Sequence, residues 1–290
     1  MQMFSDQMRR DPFPVYASLR RQSPLISDPQ GAVWMLFDYE TIKRVLMEHE
    51  HFSSAVTPPD AQALDWIVFT DPPQHTLYRN IVTRAFTPRS ISGYETRIRA
   101  ISRELLDRRR RYGDMDLIND YAAPYPGRVI ASILGLPAAD VDAFLAWNDI
   151  LQDLSLGNMS QPMGPTEMRR HAYVQQKIQD YLSQQILLRR QRPTDDLLTR
   201  LVEADVDGER LSVRAIMGFA QLLFSAATET TTNLIGNAVL CFVEHPEQLA
   251  RLKANPELLP MAVEEVLRFR SPIQSLIRKT RQQVVLHGQT

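Results

Sequence analysis

The stretch from Ser212 to Glu244, SVRAIMGFAQLLFSAATETTTNLIGNAVLCFVE, constrains the fold more than any other part of the chain. It is apolar on nearly every side and too long for a buried strand, so the pattern predicts a helix over about 212–244. Ser212 offers an N-cap hydroxyl, and Pro246 forbids continuation past His245. A helix apolar all round belongs in the middle of a large protein or in a membrane. Gln221, Glu229, Asn233 and Asn237 interrupt this one, which speaks for a protein core. At its centre Ala226-Ala227 precede Thr228-Glu229-Thr230-Thr231-Thr232. Threonine is a mediocre helix former whose hydroxyl can bond back to a carbonyl one turn earlier. Two readings of this polar centre stand. Small residues, a carboxylate and hydroxyls suit a pocket wall; alternatively Glu229 and the threonines only satisfy neighbouring polar groups.

The chain has 290 residues, 44% hydrophobic and 23% charged, with a formal net charge of −1. That is enough apolar material for one large or two small cores. Near-neutral charge gives no case for nucleic-acid binding. The one cysteine, Cys241, excludes an internal disulfide framework and fits a reducing compartment. The polar start MQMFSDQMRRDPF lacks the apolar core of a signal peptide. A soluble cytoplasmic protein is expected, with no membrane partner.

In chain order, residues 12–21 read as a short amphipathic helix, followed by strand-like runs at 24–26 and 32–37 around the turn residues Asp28-Pro29-Gln30-Gly31. Asp38 caps a helix to about Met47. From Ser53 to Pro73 the pattern dissolves, and Trp66, Ile67, Val68 and Phe69 are oddly apolar for a solvated connection; they line something or pack locally. Residues 74–85 are helical, with His75 and Arg79 at i and i+4 on one face. Such a pair suits a carboxylate ligand, or simply bonds to surface acids. The run Arg108-Arg109-Arg110-Arg111 reads as a helix C-terminus ahead of Gly113, with a phosphate patch as the alternative. Further helices are expected at 121–134, 138–154, 166–190, 195–204, 246–253 and 256–270. The Gly-, Pro- and Met-rich segment 157–165 reads as a mobile lid. The tail 273–289 reads as a hairpin. The whole is one mainly α domain with a small β element drawn from both ends.

Four signatures, in order, resemble bacterial cytochromes P450. Phe69-Thr70-Asp71-Pro72-Pro73-Gln74-His75-Thr76 with Arg79, then Phe86-Thr87-Pro88, is like the family's C-helix region. Ala226-Ala227-Thr228-Glu229-Thr230-Thr231 resembles its oxygen-activation motif, with Ala227 where glycine is usual. His245-Pro246-Glu247-Gln248 resembles the start of the next helix. Glu265-Val266-Leu267-Arg268 looks like the family's E-x-x-R, followed by Arg270-Ser271-Pro272 and Arg278. The resemblance implies a cytochrome P450 fold and a haem b cofactor. By similarity, His75, Arg79 and Arg278 bind the haem propionates beside Ala226, and Glu229 with Thr230 forms a distal proton-delivery pair. Glu265 and Arg268 are structural. Trp66, Phe69, Leu222, Ala226, Ile273 and Gln274 shape the substrate pocket. The implied partners are a small organic substrate, O2, and a ferredoxin with its reductase or a similar donor, met by a basic face around Arg79, Arg84 and Arg89.

The family's proximal cysteine, in a glycine-rich loop beyond the E-x-x-R helix, is absent from this chain, so no metal ligand is assigned. Cys241 lies about three turns after Thr230, roughly 16 Å along the same helix, and reads as a small core hydrophobe. Without thiolate ligation the iron lacks the electron push that favours O–O cleavage. The chain therefore reads as a P450 fold with its C-terminal part missing. Two functions are expected from it: a haem-thiolate monooxygenase given as an incomplete chain, or a non-catalytic remnant that binds small molecules without haem. Poor stability of the chain by itself is a further expectation, because an incomplete core leaves apolar surface uncovered.

Overall fold

The computed structural model describes residues 8, 11–28, 31–56, 66–86, 91–157, 164–206 and 208–290, without the side chains of 85, 152–157 and 206. The expected lid falls mostly on 158–163, outside the described residues, as do Thr87, Pro88 and Arg89. The chain divides into two compact units, one of residues 1–63, 68–76 and 277–290, the other of residues 64–67 and 77–276.

The smaller unit holds α1 (Phe13–Gln22), β1 (Leu25–Ser27), β2 (Trp34–Leu36), α2 (Tyr39–Met47), β3 (Phe52–Ser53) and β6 (Lys279–Thr280). β1 and β2 pair antiparallel, with Ile26 opposite Met35. Asp38 caps α2 as expected, its carboxylate accepting from the Thr41 amide at 2.9 Å. The tail departs from the expected hairpin. Lys279 and Thr280 pair instead with Ser53 and Phe52, and only an isolated bridge joins Leu286 to Gln289. Asp71 is the reason this pairing holds. Its carboxylate, buried to 7% exposure, accepts from the Ser53 hydroxyl, from the Ser54 amide at 2.8 Å and from Arg281 at 2.5 Å. One acid thus ties the strand, the connection and the tail. Short-range pattern cannot foresee a partner more than two hundred residues away.

α3 (Gln74–Ala85) begins in the smaller unit and runs on into the larger. The larger unit continues with α4 (Glu95–Arg110), a π-helical turn (Leu117–Ala122), α5 (Pro124–Leu134), α6 (Val141–Gly157), α7 (Pro165–Gln191) and α8 (Leu197–Glu203). A small antiparallel pair, β4 (Asp205–Val206) and β5 (Glu209–Arg210), leads into the long α9 (Val213–Glu244). α10 (Pro246–Ala254) and α11 (Leu259–Phe269) complete the unit. The Ser212 hydroxyl caps α9 by accepting from the Ala215 amide at 3.0 Å. Pro246 opens α10 as the sequence predicts.

The core forms where α9 meets α5, α6, α7 and α8. Leu134, Phe144, Ile178, Leu182, Ile186, Leu198, Leu201, Ile216 and Phe224 are all buried there. Gly127 of α5 is needed for the close approach: a Cβ there would collide with Leu145 and stand 3.3 Å from the Thr228 methyl. Gly135 ends α5 with φ of 78°, a conformation glycine adopts without strain. A side chain at Gly135 would also strike Asp196. Asp196 is half of a buried ion pair with Arg189 at 3.0 Å, and it caps α8 through the Thr199 amide.

Candidate functional site

The middle of α9 is the one part of the long helix where the polar groups gather without a core around all of them. Thr228 is buried, and its hydroxyl donates back to the Phe224 carbonyl at 2.9 Å. Thr230 donates back to the Ala226 carbonyl at 2.7 Å, and Thr232 donates across to the Ala122 carbonyl of the π-helical turn at 2.9 Å. The threonines therefore satisfy themselves, as one of the two sequence readings has it. Glu229 and Ala226 do not follow that reading. Both are exposed, and the Glu229 carboxylate has no partner among the described residues. Leu222, Ala226 and Thr230 stand one turn apart along one helix face. Leu222 and Thr230 on that face are half-buried. A helix face with small residues at its centre, flanked by a hydroxyl and an unpaired carboxylate, presents a surface against which a flat apolar molecule can lie.

The cations expected to grip carboxylates are uncommitted. Arg79 on α3 is exposed and makes no ion pair among the described residues. His75, half-buried on the same helix, likewise has no acidic partner there. Arg278 donates only to the carbonyl of its own neighbour Ile277, at 2.8 Å. Many other arginines of the chain are paired with acids. Cations left without acids fit a cofactor that brings its own carboxylates, as haem does through its propionates. Arg79 lies in the larger unit with Glu229 and Thr230, while His75 and Arg278 belong to the smaller.

The axial position is different. Cys241 is buried on α9, and burial pushes its thiol up, away from the thiolate form a metal takes. Among the described residues no group of three or more His, Cys, Asp or Glu side chains is placed to hold a metal ion. Within the larger unit, the uncommitted Arg79 and the open face of α9 are chemically compatible with a haem, and Cys241 does not fit as its ligand.

Glu265 and Arg268 form the expected i, i+3 pair, at 2.6 Å and 2.7 Å in a two-pronged contact. Both side chains are largely exposed, and Arg268 holds the Glu265 carboxyl below its usual range. The residues expected to shape a substrate pocket are dispersed. Trp66 and Leu222 are half-buried, Phe69 and Ile273 exposed, and Gln274 folds back to the Ser271 carbonyl at 2.6 Å. Two cavities of the larger unit are lined by other residues. One, about 10 Å³, lies between Ile67, Tyr78, Val82, Leu211, Ala215 and Phe219, so Ile67 of the apolar connection lines a small void against α3 and the start of α9. A void of that size is at the limit of holding one water. Sequence reasoning missed Asp71 and Arg281 as a pair, although Asp71 stood inside a quoted motif.

The cytochrome P450 family model matches residues 26–290. A putative cytochrome P450, YjiB of Bacillus subtilis (strain 168), is 36% identical over 283 residues, covering 96% of this chain and 70% of that protein. The vitamin D(3) 25-hydroxylase of Pseudonocardia autotrophica is 37% identical over 300 residues, covering 99% of this chain and 72% of the enzyme. Among solved structures, substrate-free CYP109E1 from Bacillus megaterium superposes with a TM-score of 0.88 at 35% identity, covering 97% of this chain and 74% of that one. Among the described residues no helix is long and apolar enough to cross a membrane.

Proposed function

This chain belongs to the cytochrome P450 family, and from that premise we infer that it is the distal-side and propionate-binding part of a haem-thiolate monooxygenase acting on a small organic substrate. The observation that carries this reading is the open centre of α9, where unpaired Glu229 stands beside back-bonded Thr230 and the small, exposed Ala226. Haem, when bound, supplies the redox chemistry that activates O2. Arg79, His75 and Arg278 would hold its propionates, their N–H groups donating to the carboxylates. Ala226 lets the macrocycle approach the helix backbone. The exposed Glu229 carboxylate is open to accept hydrogen bonds from water, and the Thr230 hydroxyl oxygen accepts from a water or bound molecule while its own O–H donates to the Ala226 carbonyl. Ordered proton supply to a site shielded from bulk water is the task such a pair performs. Trp66, Phe69, Leu222, Ile273 and Gln274 border the substrate. Glu265 and Arg268 steady α11. Electrons come from a ferredoxin and its reductase or a similar donor, received on the basic face at Arg79 and Arg84, in the cytoplasm.

This reading requires a cysteine other than Cys241. The chain spans about 70% of the length of the two curated relatives. A second reading, a haem-free binder of small molecules, is favoured by the buried, protonated Cys241 thiol. Haem titration separates them. We expect the 290-residue chain to bind haem with a reduced carbon-monoxide spectrum of non-thiolate type, and Arg79→Gln to weaken that binding. Fused to the cysteine-bearing C-terminal segment of a full-length relative, the chain is expected to give the thiolate-type Soret band and reductant-driven substrate oxidation. No haem uptake by either form would favour the binder. A thiolate-type band from the 290 residues alone would overturn the assignment of Cys241.

A further inference from the structure

The cleft between α4 and α5 carries chemistry that the haem reading does not use. A cavity of about 320 Å³ is lined by Leu105, Arg108, Arg109, Asn119, Asp120, Pro124 and Arg128. The sequence shows the arginine run at the end of α4; only the fold brings Arg128, from the next helix, to the same space. Three arginines and one aspartate line the same space.

Each arginine is held by an acid through part of its fork. Arg109 bonds Asp120 at 2.7 Å, Arg128 bonds Asp142 at 2.6 Å through Nη2, and Arg108 bonds Glu104 through Nη2. A guanidinium has five N–H donors, so one such contact leaves most of them to other acceptors. For Arg128 the shortfall is explicit: its Nε is buried and has no hydrogen-bond partner. A buried donor without an acceptor is destabilising. Its acid Asp142 lies mostly in solvent, with 77% of its side chain exposed, and orients the fork without filling its needs. Leu105, which also borders the cleft, is buried.

We propose that this cleft binds a small oxyanion of the phosphate class, held by Arg108, Arg109 and Arg128. Guanidinium forks match the geometry of phosphate oxygens in pairs, which ammonium groups do not. The site is independent of haem, and its test leaves haem out.

The test is calorimetric titration of the 290-residue chain with inorganic phosphate and with pyrophosphate, at ionic strength matched by chloride. Saturable binding of either anion is expected, with the Arg128 Nε–H resonance moving on titration. Arg108→Gln, at a side chain half in solvent, should weaken it about tenfold or more. Arg128→Gln should weaken it further. Arg110→Gln should leave it unchanged, since Arg110 is outside the lining and 86% exposed. If Arg128→Gln fails to fold, the Arg108 variant decides. No saturable binding of either anion, or equal binding by wild type and Arg108→Gln, overturns the proposal.

Discussion

Thr230 donates its hydroxyl to the carbonyl of Ala226, one turn earlier in α9, at 2.7 Å. The bond is local, so the helix does not depend on any other element to satisfy this hydroxyl. Glu229 beside it has no partner among the described residues. A residue satisfied by its own helix and a carboxylate with no partner among the described residues can be replaced at little structural cost, so a chemical role for them can be tested apart from stability.

Thr230→Val is therefore expected to change unfolding free energy by about 1 kcal/mol or less, since a neutral hydrogen bond contributes about 0.5–1.5 kcal/mol net and no buried acceptor is stranded beyond a carbonyl already in the helix ladder. In the haem-loaded, cysteine-complete protein the same substitution should lower product formed per reductant consumed by about a hundredfold, the low end for one lost proton-transfer group. Thr230→Ser should restore most of it. Stability measured by urea midpoint and product yield measured against reductant loss check the split; a large loss of stability with unchanged yield would reverse the assignment.

The Arg189–Asp196 pair should behave in the opposite way. The side chains are 9% and 7% exposed, and Asp196 also accepts from the Thr199 amide at 2.8 Å and from the Thr194 hydroxyl at 2.6 Å. Asp196→Ala leaves a buried guanidinium unpaired and uncaps α8, at an expected cost of about 3–5 kcal/mol. The double variant Arg189→Met/Asp196→Leu should cost less than either single change, because no charge is left stranded. Gly135→Ala should also destabilise, through its positive φ and its collision with Asp196. Urea unfolding of the wild type, Asp196→Ala, Gly135→Ala, the double variant and its two single changes checks the order; additivity in the double variant would show that the pair is not coupled.

Acid should loosen the strand pairing of the smaller unit first. Burial alone would raise the Asp71 carboxyl, but the Ser53, Ser54 and Arg281 donors outweigh it and hold the group below its usual range. A carboxyl whose folded value is depressed contributes stability at pH above its unfolded value, near 3.8, and that contribution is lost as pH falls through the folded value. Amide exchange at Arg281, whose N–H donates to the His51 carbonyl at 2.9 Å, should therefore accelerate below about pH 4, more than a uniform acid effect accounts for. Asp71→Asn should exchange faster at neutral pH and lose the extra acid step. An acid step that survives Asp71→Asn would place its origin elsewhere.

These cases show what the sequence could and could not carry. The long α9 was legible because 32 apolar-rich residues between a serine cap and a proline leave no other regular structure. Glu265 with Arg268, and the back-bonding of the threonines, were legible because helix spacing alone sets those distances. The tail was not, because β6 finds β3 across the chain and the choice rests on Asp71, which no local pattern connects to Arg281. Arg128 was not, because the run Arg108–Arg111 is readable as a helix end while its partner across the cleft follows a π-helical turn and a proline. The pocket-forming roles of Trp66, Phe69, Ile273 and Gln274 rest on resemblance, and Ile67 beside them lines only a small void against α3 and the start of α9.

The largest consequence for the isolated polypeptide lies on the C-terminal half of α9 and on α11. Val243 is 72% exposed, Met261 71% and Leu259 55%, with Val239, Leu240 and Val263 also open to solvent. Exposed apolar side chains on these two helices favour association, because burying them removes area from water at about 25 cal/mol per Å². The helices themselves are anchored: Asn237 donates to the Arg270 carbonyl at 2.9 Å, and Arg270 pairs with Glu244 at 2.8 Å. The face is therefore held in place and does not dissolve by local unfolding. The 290-residue chain should bind an apolar fluorescent dye and associate as concentration rises, seen by sedimentation. Val243→Glu with Met261→Glu should reduce both without lowering the urea midpoint, since neither side chain contributes buried area to the core. Appending the C-terminal segment of a full-length relative should suppress dye binding further. A clean monomer that excludes the dye would mean that the exposed valines and leucines close on one another in solution, and the surface would then carry no association.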